Sequence, residues 1–329
     1  MNIEYDVTAI GNALVDVIAA ADDAFLASQD MAKGAMTLID EPRAQTLYGA
    51  MAPGVETSGG SAGNTIAGVA SFGGRAAFIG KVAADQLGDV FAHDLGALGA
   101  DFSTPRLTGG PATGRCLINV TPDGERTMST YLGAGVELTA DDVSPALVES
   151  SRILYLEGYL FDPHEARRAF AKAAGLAHGA GRSIALTLSD GFVVERHRGA
   201  LLGFIDTQVD ILFANETEIC ALFETQDFDV ATAAIAGRCA VAAITRGEQG
   251  SVILADGERH VIAAYPIGKL VDTTGAGDQY AAGFLYGFAG GRPLEICGRL
   301  ASLAAAEVIG HYGPRPAVSL RNLAAANGL

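Results

Sequence analysis

Short apolar runs alternate with longer stretches of helical spacing along most of this 329-residue chain. Strand patterns fall at 5–10, 15–20, 35–39, 76–82, 153–156, 183–188, 209–214, 240–245 and 251–255. Helical patterns fill 61–74, 85–99, 163–180 and 192–205, and open again near 215, 278 and 293. In the second of these, Leu87, Val90, Phe91 and Leu95 share one face. Each strand must cross over a helix to reach its neighbour. The sheet is therefore parallel or mostly parallel, with helices on both faces.

Residues 112–132 break the rhythm. Two strand patterns are joined there by Pro122-Asp123-Gly124, where proline presets φ and glycine accepts a positive one. The expected organisation is one large α/β unit (1–11, 41–109 and 133–329) carrying a small β element (12–40 and 110–132). No internal repeat or low-complexity linker interrupts it.

Charge narrows the partners. Lysine and arginine total 22 against 38 acidic residues, a net −16. Nucleic acid and anionic membrane both demand a clustered basic surface, so neither is expected. Cys116, Cys220, Cys239 and Cys297 lack metal-ligand spacing and read as free thiols of a reducing compartment. The opening MNIEYDVTAIGNALVD has no basic, apolar leader, and no uncharged apolar run reaches the ~18 residues of a membrane span. A cytoplasmic protein is expected.

The most informative stretch is VDTTGAGDQYAAGFLYGF, residues 271–288. Ala281, Phe284, Leu285 and Phe288 recur at helical spacing, so a helix opens near 276–278. Gly275 and Gly277 let the backbone turn tightly and present its N–H groups to an anion. Asp278 sits in that first turn, where the helix dipole favours its ionised form. It either caps the helix or accepts a proton from a delivered hydroxyl. A dinucleotide fingerprint does not fit, because Tyr280 takes its sixth position. Nor does a Walker A loop, because Gly80-Lys81 and Gly268-Lys269 precede Val82 and Leu270.

DTTGAGDQYAAGFL resembles the C-terminal signature of the ribokinase-like (PfkB) carbohydrate kinases. GGSAGNTIAGVASFGGRAAFIGKVAADQLGD (59–89) resembles their N-terminal one. NETE (215–218) and TRGEQGS (245–251) resemble two further motifs of the family, all four in the expected order. GNALVD (11–16), TGRCLI (113–118), ERTMSTYLGA (125–134) and FANETE (213–218) are similar to adenosine kinase segments in particular. The resemblance implies a three-layer α/β/α domain with a mostly parallel central sheet and a small β-sheet lid. It also implies transfer of the γ-phosphoryl of ATP, with Mg²⁺, to a hydroxymethyl group.

Residue by residue, Asp278 matches the general base, and Gly275, Ala276 and Gly277 match the anion hole. Asp16 matches a clamp on two ribose hydroxyls, and Asn12, Gly60, Ser61 and Asn64 match residues lining the same sugar. Asn215 and Glu218 match residues that organise phosphate and Mg²⁺ through water, or they form only a capping box. Thr245 and Gly247 match the ATP-phosphate turn. Arg126 matches a phosphate-facing arginine, or is a solvated hairpin charge. Asp272 matches the aspartate beside a K⁺ site that some members have.

Met36, Leu38, Cys116 and Met128 are expected on the inner face of the lid, with Leu160 and Phe192 opposite. Such a wall suits a flat purine better than a free sugar, although ordinary lid packing would look the same. The expected reaction is phosphorylation of a ribonucleoside 5′-hydroxyl, adenosine first. The alternatives are another nucleoside (inosine, guanosine, cytidine) or a free sugar or sugar acid (ribose, fructose, 2-keto-3-deoxygluconate). A non-catalytic sensor and a nicotinamide-dependent oxidoreductase are the readings from other classes. Ala13 and Glu157 depart from the adenosine kinase pattern, and the segment GHYGPRP (310–316) does not resemble the eukaryotic enzymes. A monomer and a homodimer paired through the lid both fit.

Overall fold

The computed structural model describes residues 2–329, so residue 1 of the expected large unit lies outside it. The first strands are β1 (Tyr5–Ile10), β2 (Leu14–Ala20), β3 (Met36–Leu38), β4 (Val55–Gly59), β5 (Ala76–Ile79), β6 (Ala100–Phe102) and β7 (Gly114–Val120). Then come β8 (Arg126–Tyr131), β9 (Ser151–Glu157), β10 (Ser183–Thr187), β11 (Ile211–Asn215), β12 (Val241–Thr245), β13 (Ser251–Ala255) and β14 (Glu258–Ile262). Nine of them form one sheet in the order β14-β13-β12-β11-β10-β9-β1-β5-β6. Every pairing from β6 to β12 is parallel, and β13 and β14 add an antiparallel edge.

The strand period explains the layers. Ile153 and Tyr155 of β9 face one core, and Leu154 and Leu156 face the other. The first core is closed by the helices Ser61–Ser71, Ala276–Ala289 and Leu294–Val308. The second is closed by His164–Gly179, Gly191–Gln208 and Glu216–Leu222. Both faces are thus covered, which is why β5, β11 and β12 read as nearly unbroken apolar runs. Among the described residues, no helix is long and apolar enough to cross a membrane.

The other five strands form a second sheet, β3-β8-β7-β2-β4, with β7 and β8 as the expected antiparallel hairpin. One boundary changes: β4 lies in the span assigned to the large unit, yet it pairs antiparallel with β2. Its sequence, VETSG, has no apolar alternation. The strand forms because β2 offers a partner, not because of its own pattern.

Two helices approach closely beneath the cleft. Gly68 of Ser61–Ser71 lies so near Ala276–Ala289 that a Cβ there would strike the side chains of Gln279 and Ala282. Gln279 is fully buried, and its Nε2 donates to the Asn64 carbonyl at 2.9 Å and the Pro314 carbonyl at 3.0 Å. These contacts lock the two helix N-termini side by side.

Candidate active site

Asp278 stands in the first turn of Ala276–Ala289, behind an N-cap at Gly275 whose φ is +78°. Its Oδ1 accepts from the Ser61 hydroxyl at 2.6 Å, and its Oδ2 from Asn64 Nδ2 at 3.0 Å. Both donors come from the first turn of the neighbouring helix. Burial pushes the Asp278 carboxyl up to about 6 against the pull of these two donors. Capping and chemistry are therefore not rivals here. The carboxylate is held by side chains of another helix, facing a cleft it shares with Asn215, Glu218, Thr245 and Gly277. That cleft opens at the carboxyl ends of β10, β11 and β12, where open parallel sheets bind ligands. Gly247 begins the turn just beyond β12.

Asn215 and Glu218 do form the capping box. Glu218 Oε2 accepts from Asn215 N at 3.0 Å and Oε1 from Asn215 Nδ2 at 2.7 Å, while Asn215 Oδ1 accepts from Glu218 N at 2.8 Å. Burial raises the Glu218 carboxyl to about 7, helped by Asp190 and Asp278. A cleft with this excess of carboxylate fits a divalent cation brought in with phosphate. Among the described residues no group of three acidic, cysteine or histidine side chains forms a metal cage.

Asp16, on β2, is buried, and its carboxyl rises to about 6 through desolvation. The charges of Arg315 and Arg126 oppose that rise, and Asp278 adds to it. Nearby, Asn12 Nδ2 donates to Glu157 Oε1 at 2.9 Å, while Asn12 Oδ1 is buried with no partner. Glu157 also accepts from the Ala62 N–H at 2.9 Å, and desolvation raises it to about 7. It ties the end of β9 to Asn12 and to the helix bearing Ser61 and Asn64. We expect Glu157→Gln to lower stability by about 1–3 kcal/mol in urea unfolding, because an amide N–H₂ would face a backbone or amide donor.

Sequence reasoning assigns Glu157 and Arg315 no role. A charge ending the apolar run ILYLE is a usable signal for the first. Arg315, between two prolines, carries no periodic signal at all.

Arg126 and Asp272 meet. Arg126 Nη1 lies 3.0 Å from Asp272 Oδ2, both side chains are buried, and the guanidinium stands 6.0 Å from the Tyr312 ring. Its nitrogens make no well-aligned hydrogen bond, so the pair is ionic. Arg126 is neither a solvated hairpin charge nor free. Asp272 Oδ1 accepts from Thr274 N at 3.0 Å and Thr274 Oγ1 at 2.7 Å, and Oδ2 from Gly313 N at 3.0 Å. Donors and a guanidinium already surround this carboxylate, so it does not fit a K⁺ ligand.

The apolar wall divides. Met36 and Leu38 of β3 are 48% and 56% exposed, and Phe192 is 71% exposed at the start of its helix. Met128, paired with Met36, is half-buried, and Cys116 is buried against Thr130. Leu160, expected opposite them, is not there. The 3₁₀ turn Gly158–Phe161 tucks it, fully buried, into the second core.

Known proteins share this fold. An adenosine kinase from Sinorhizobium meliloti is 54% identical, with a TM-score of 0.92 over 98% of this chain and 99% of its own. A probable sugar kinase from Rhizobium etli is 50% identical, with a TM-score of 0.92 over 99% of both chains. Adenosine kinase 2 of Arabidopsis thaliana is 26% identical over 331 residues, 92% of this chain and 93% of its own. The family model for pfkB carbohydrate kinases matches residues 39–320, and with it the two neighbouring helix mouths that hold Asp278. The chain belongs to the pfkB family of carbohydrate kinases and is a phosphotransferase acting on a hydroxyl group.

Proposed function

We propose that the chain phosphorylates the 5′-hydroxyl of a ribonucleoside, adenosine first, at the expense of ATP. The carrying observation is Asp278, fixed by Ser61 and Asn64 at a helix mouth that also presents the Ala276 and Gly277 backbone. Asp278 takes the proton from the attacking hydroxyl. The N–H groups at the helix start meet the charge that develops on the transferring phosphoryl group. Asp16 accepts from two ribose hydroxyls, and the orphan Oδ1 of Asn12 accepts from another sugar donor. Ser61 and Asn64 orient Asp278, and Gly60 lets the chain pass close to the sugar.

Asn215, Thr245 and Gly247 receive the phosphates of ATP. Glu218 holds Mg²⁺ through water, where the ion would neutralise phosphate charge. Arg126 on Asp272 supplies a fixed positive charge at the loop before the anion hole, so activity needs no K⁺. The second sheet with residues 12–40 and 110–132 acts as the lid, closing Met36, Leu38, Met128 and Cys116 over a base facing Phe192. The 54% identity to the S. meliloti adenosine kinase supports the choice of acceptor. The R. etli relative, named a probable sugar kinase, keeps a free sugar as the second reading.

The deciding experiment measures ADP release from Mg·ATP with adenosine, inosine, guanosine, cytidine, ribose, fructose and 2-keto-3-deoxygluconate. Preference for adenosine supports the proposal, and turnover of a free sugar alone overturns the purine reading.

The same site carries a pH dependence. Asp16 and Asp278 both titrate at about 6 in the folded enzyme, and both act ionised. kcat/KM is expected to fall below pH ~6 with a log–log slope steeper than one, because two carboxylates take protons. A flat profile down to pH ~5 would contradict both assignments.

A further inference from the structure

We infer that Arg315 is a positioning residue of the acceptor site, fixing the amide of Asn64 and supplying the permanent positive charge that keeps Asp16 beside Asp278. The choice of adenosine as probe rests on the function proposed above. The inference itself concerns residues of this chain and holds for any acceptor bound there.

The geometry begins at Asn64. Its Nδ2 donates to Asp278, and its Oδ1 receives Arg315 Nε in a long contact of 3.5 Å. A carboxylate on one side and a guanidinium on the other leave the amide a single satisfied orientation. Rotated by half a turn, it would point oxygen at carboxylate and N–H₂ at guanidinium. Arg315 thus fixes the donor that fixes Asp278.

Its charge matters as much. The charges acting on Asp16 are those of Arg315 in the segment after Val308, Arg126 on β8 and Asp278 on the helix Ala276–Ala289, and Cys116 lies beside it in register on β7. Burial holds the Cys116 thiol up at about 12, so it contributes no charge. Arg126 is already paired with Asp272. Among the described residues Arg315 has no ion pair within 4.0 Å; burial lowers its pKa from the usual arginine value, and the charges of Asp16 and Asp94 oppose that fall. Its Nη2 is buried without a partner. A buried guanidinium with an idle N–H₂ is costly unless a ligand atom completes it. Two nearby carboxylates cannot both stay ionised in a dry site without such a cation.

The test compares Arg315→Met and Arg315→Lys with the wild type. Adenosine is varied at saturating Mg·ATP, and the pH profile of kcat/KM is recorded. For Arg315→Met the acceptor KM should rise about tenfold or more while the ATP KM stays within about twofold. Its acid limb should move up by about one pH unit, because Asp16 loses the opposing cation. Arg315→Lys keeps the charge and loses the fork, so its limb should stay put while the acceptor KM remains raised. Unchanged acceptor KM and limb in Arg315→Met, or identical shifts in both variants, would overturn the inference. Should Arg315→Met fail to fold, Arg315→Lys decides alone: wild-type behaviour in both readouts overturns it. Calorimetric binding of the acceptor gives the same readout without turnover. Turnover of a sugar but not adenosine by the wild type would sink the nucleoside reading, and the variants are then compared on that sugar.

Discussion

Asp278→Asn is expected to lower kcat by about a thousandfold, within the ~10²–10⁴ range of a positioned general base, while both KM values change little. The variant should fold. Asparagine has nearly the same shape and still accepts from the Ser61 hydroxyl, the 2.6 Å contact of the wild type, but its amide N–H₂ meets Asn64 Nδ2, donor against donor, at a cost of about 1–3 kcal/mol. Its stability should carry a sign that separates function from architecture. The Asp278 carboxyl is raised from 3.8 to about 6 in the folded protein, so the folded state binds this proton more tightly than the unfolded chain. That contribution is fully present at acid pH and is lost as pH climbs through about 6. At neutral pH the wild type therefore carries an ionised, buried carboxylate as a burden, and the asparagine variant does not. Relief of the buried charge offsets that contact most at high pH, so thermal melts should place Asp278→Asn nearest the wild type near pH ~8 and furthest below it toward pH ~5. A stability gap that does not narrow between pH ~5 and pH ~8 would mean that Asp278 is no buried carboxylate burden but a structural cap. Retention of kcat within about tenfold would remove it as the base.

The range of each interaction decides which parts of this site are legible in the sequence. The helix mouth at 275–278 is a local object: its turn, its dipole and its acid sit within four positions and are visible as text. The parallel core is equally legible, because strands buried on both faces, such as β5, β11 and β12, are apolar almost throughout. Strand β4 is not legible, since VETSG acquires its conformation from β2. Leu160 misleads because an apolar residue after a strand suits a pocket wall and a core equally well. Only the 3₁₀ turn Gly158–Phe161 decides between them. The largest omission is the segment after Val308. In the sequence it is a mere departure from pattern, yet Tyr312 faces Arg126, Gly313 N donates to Asp272, and the Pro314 carbonyl receives Gln279. Arg315 reaches Asn64. Every one of these contacts spans more than thirty positions of sequence, and none leaves a periodic trace.

The same segment makes Gly275→Ala the second large effect. Gly275 has φ +78°, and a Cβ built on it would lie 2.6 Å from the Cα, Cβ and carbonyl oxygen of Pro314. The left-handed conformation alone costs an alanine about 1 kcal/mol. The clash adds to it, because backbone, unlike a side-chain tip, cannot rotate away. Either the turn or residues 313–315 must move. The first choice displaces the N–H groups of the helix mouth and Asp278, and the second displaces the Gly313 donor to Asp272 and the Arg315 contact with Asn64. Loss of one preorganised donor at such a site typically costs ~10²–10³ in kcat, so a fall of at least about a hundredfold is expected. A stability loss of about 1–3 kcal/mol should accompany it in urea unfolding. Gly277→Ala is the control two residues on. Its backbone φ is not positive, and a Cβ there meets nothing within 4 Å, so its stability should stay within about 0.5 kcal/mol of wild type. If Gly277 presents its N–H to phosphate, that new methyl group obstructs only the ligand, raising the ATP KM while leaving the fold intact. Equal stability losses in the two variants would show that the turn responds to any added methyl. A Gly275→Ala enzyme with near-normal kcat would show that the contact with Pro314 does not govern the helix mouth.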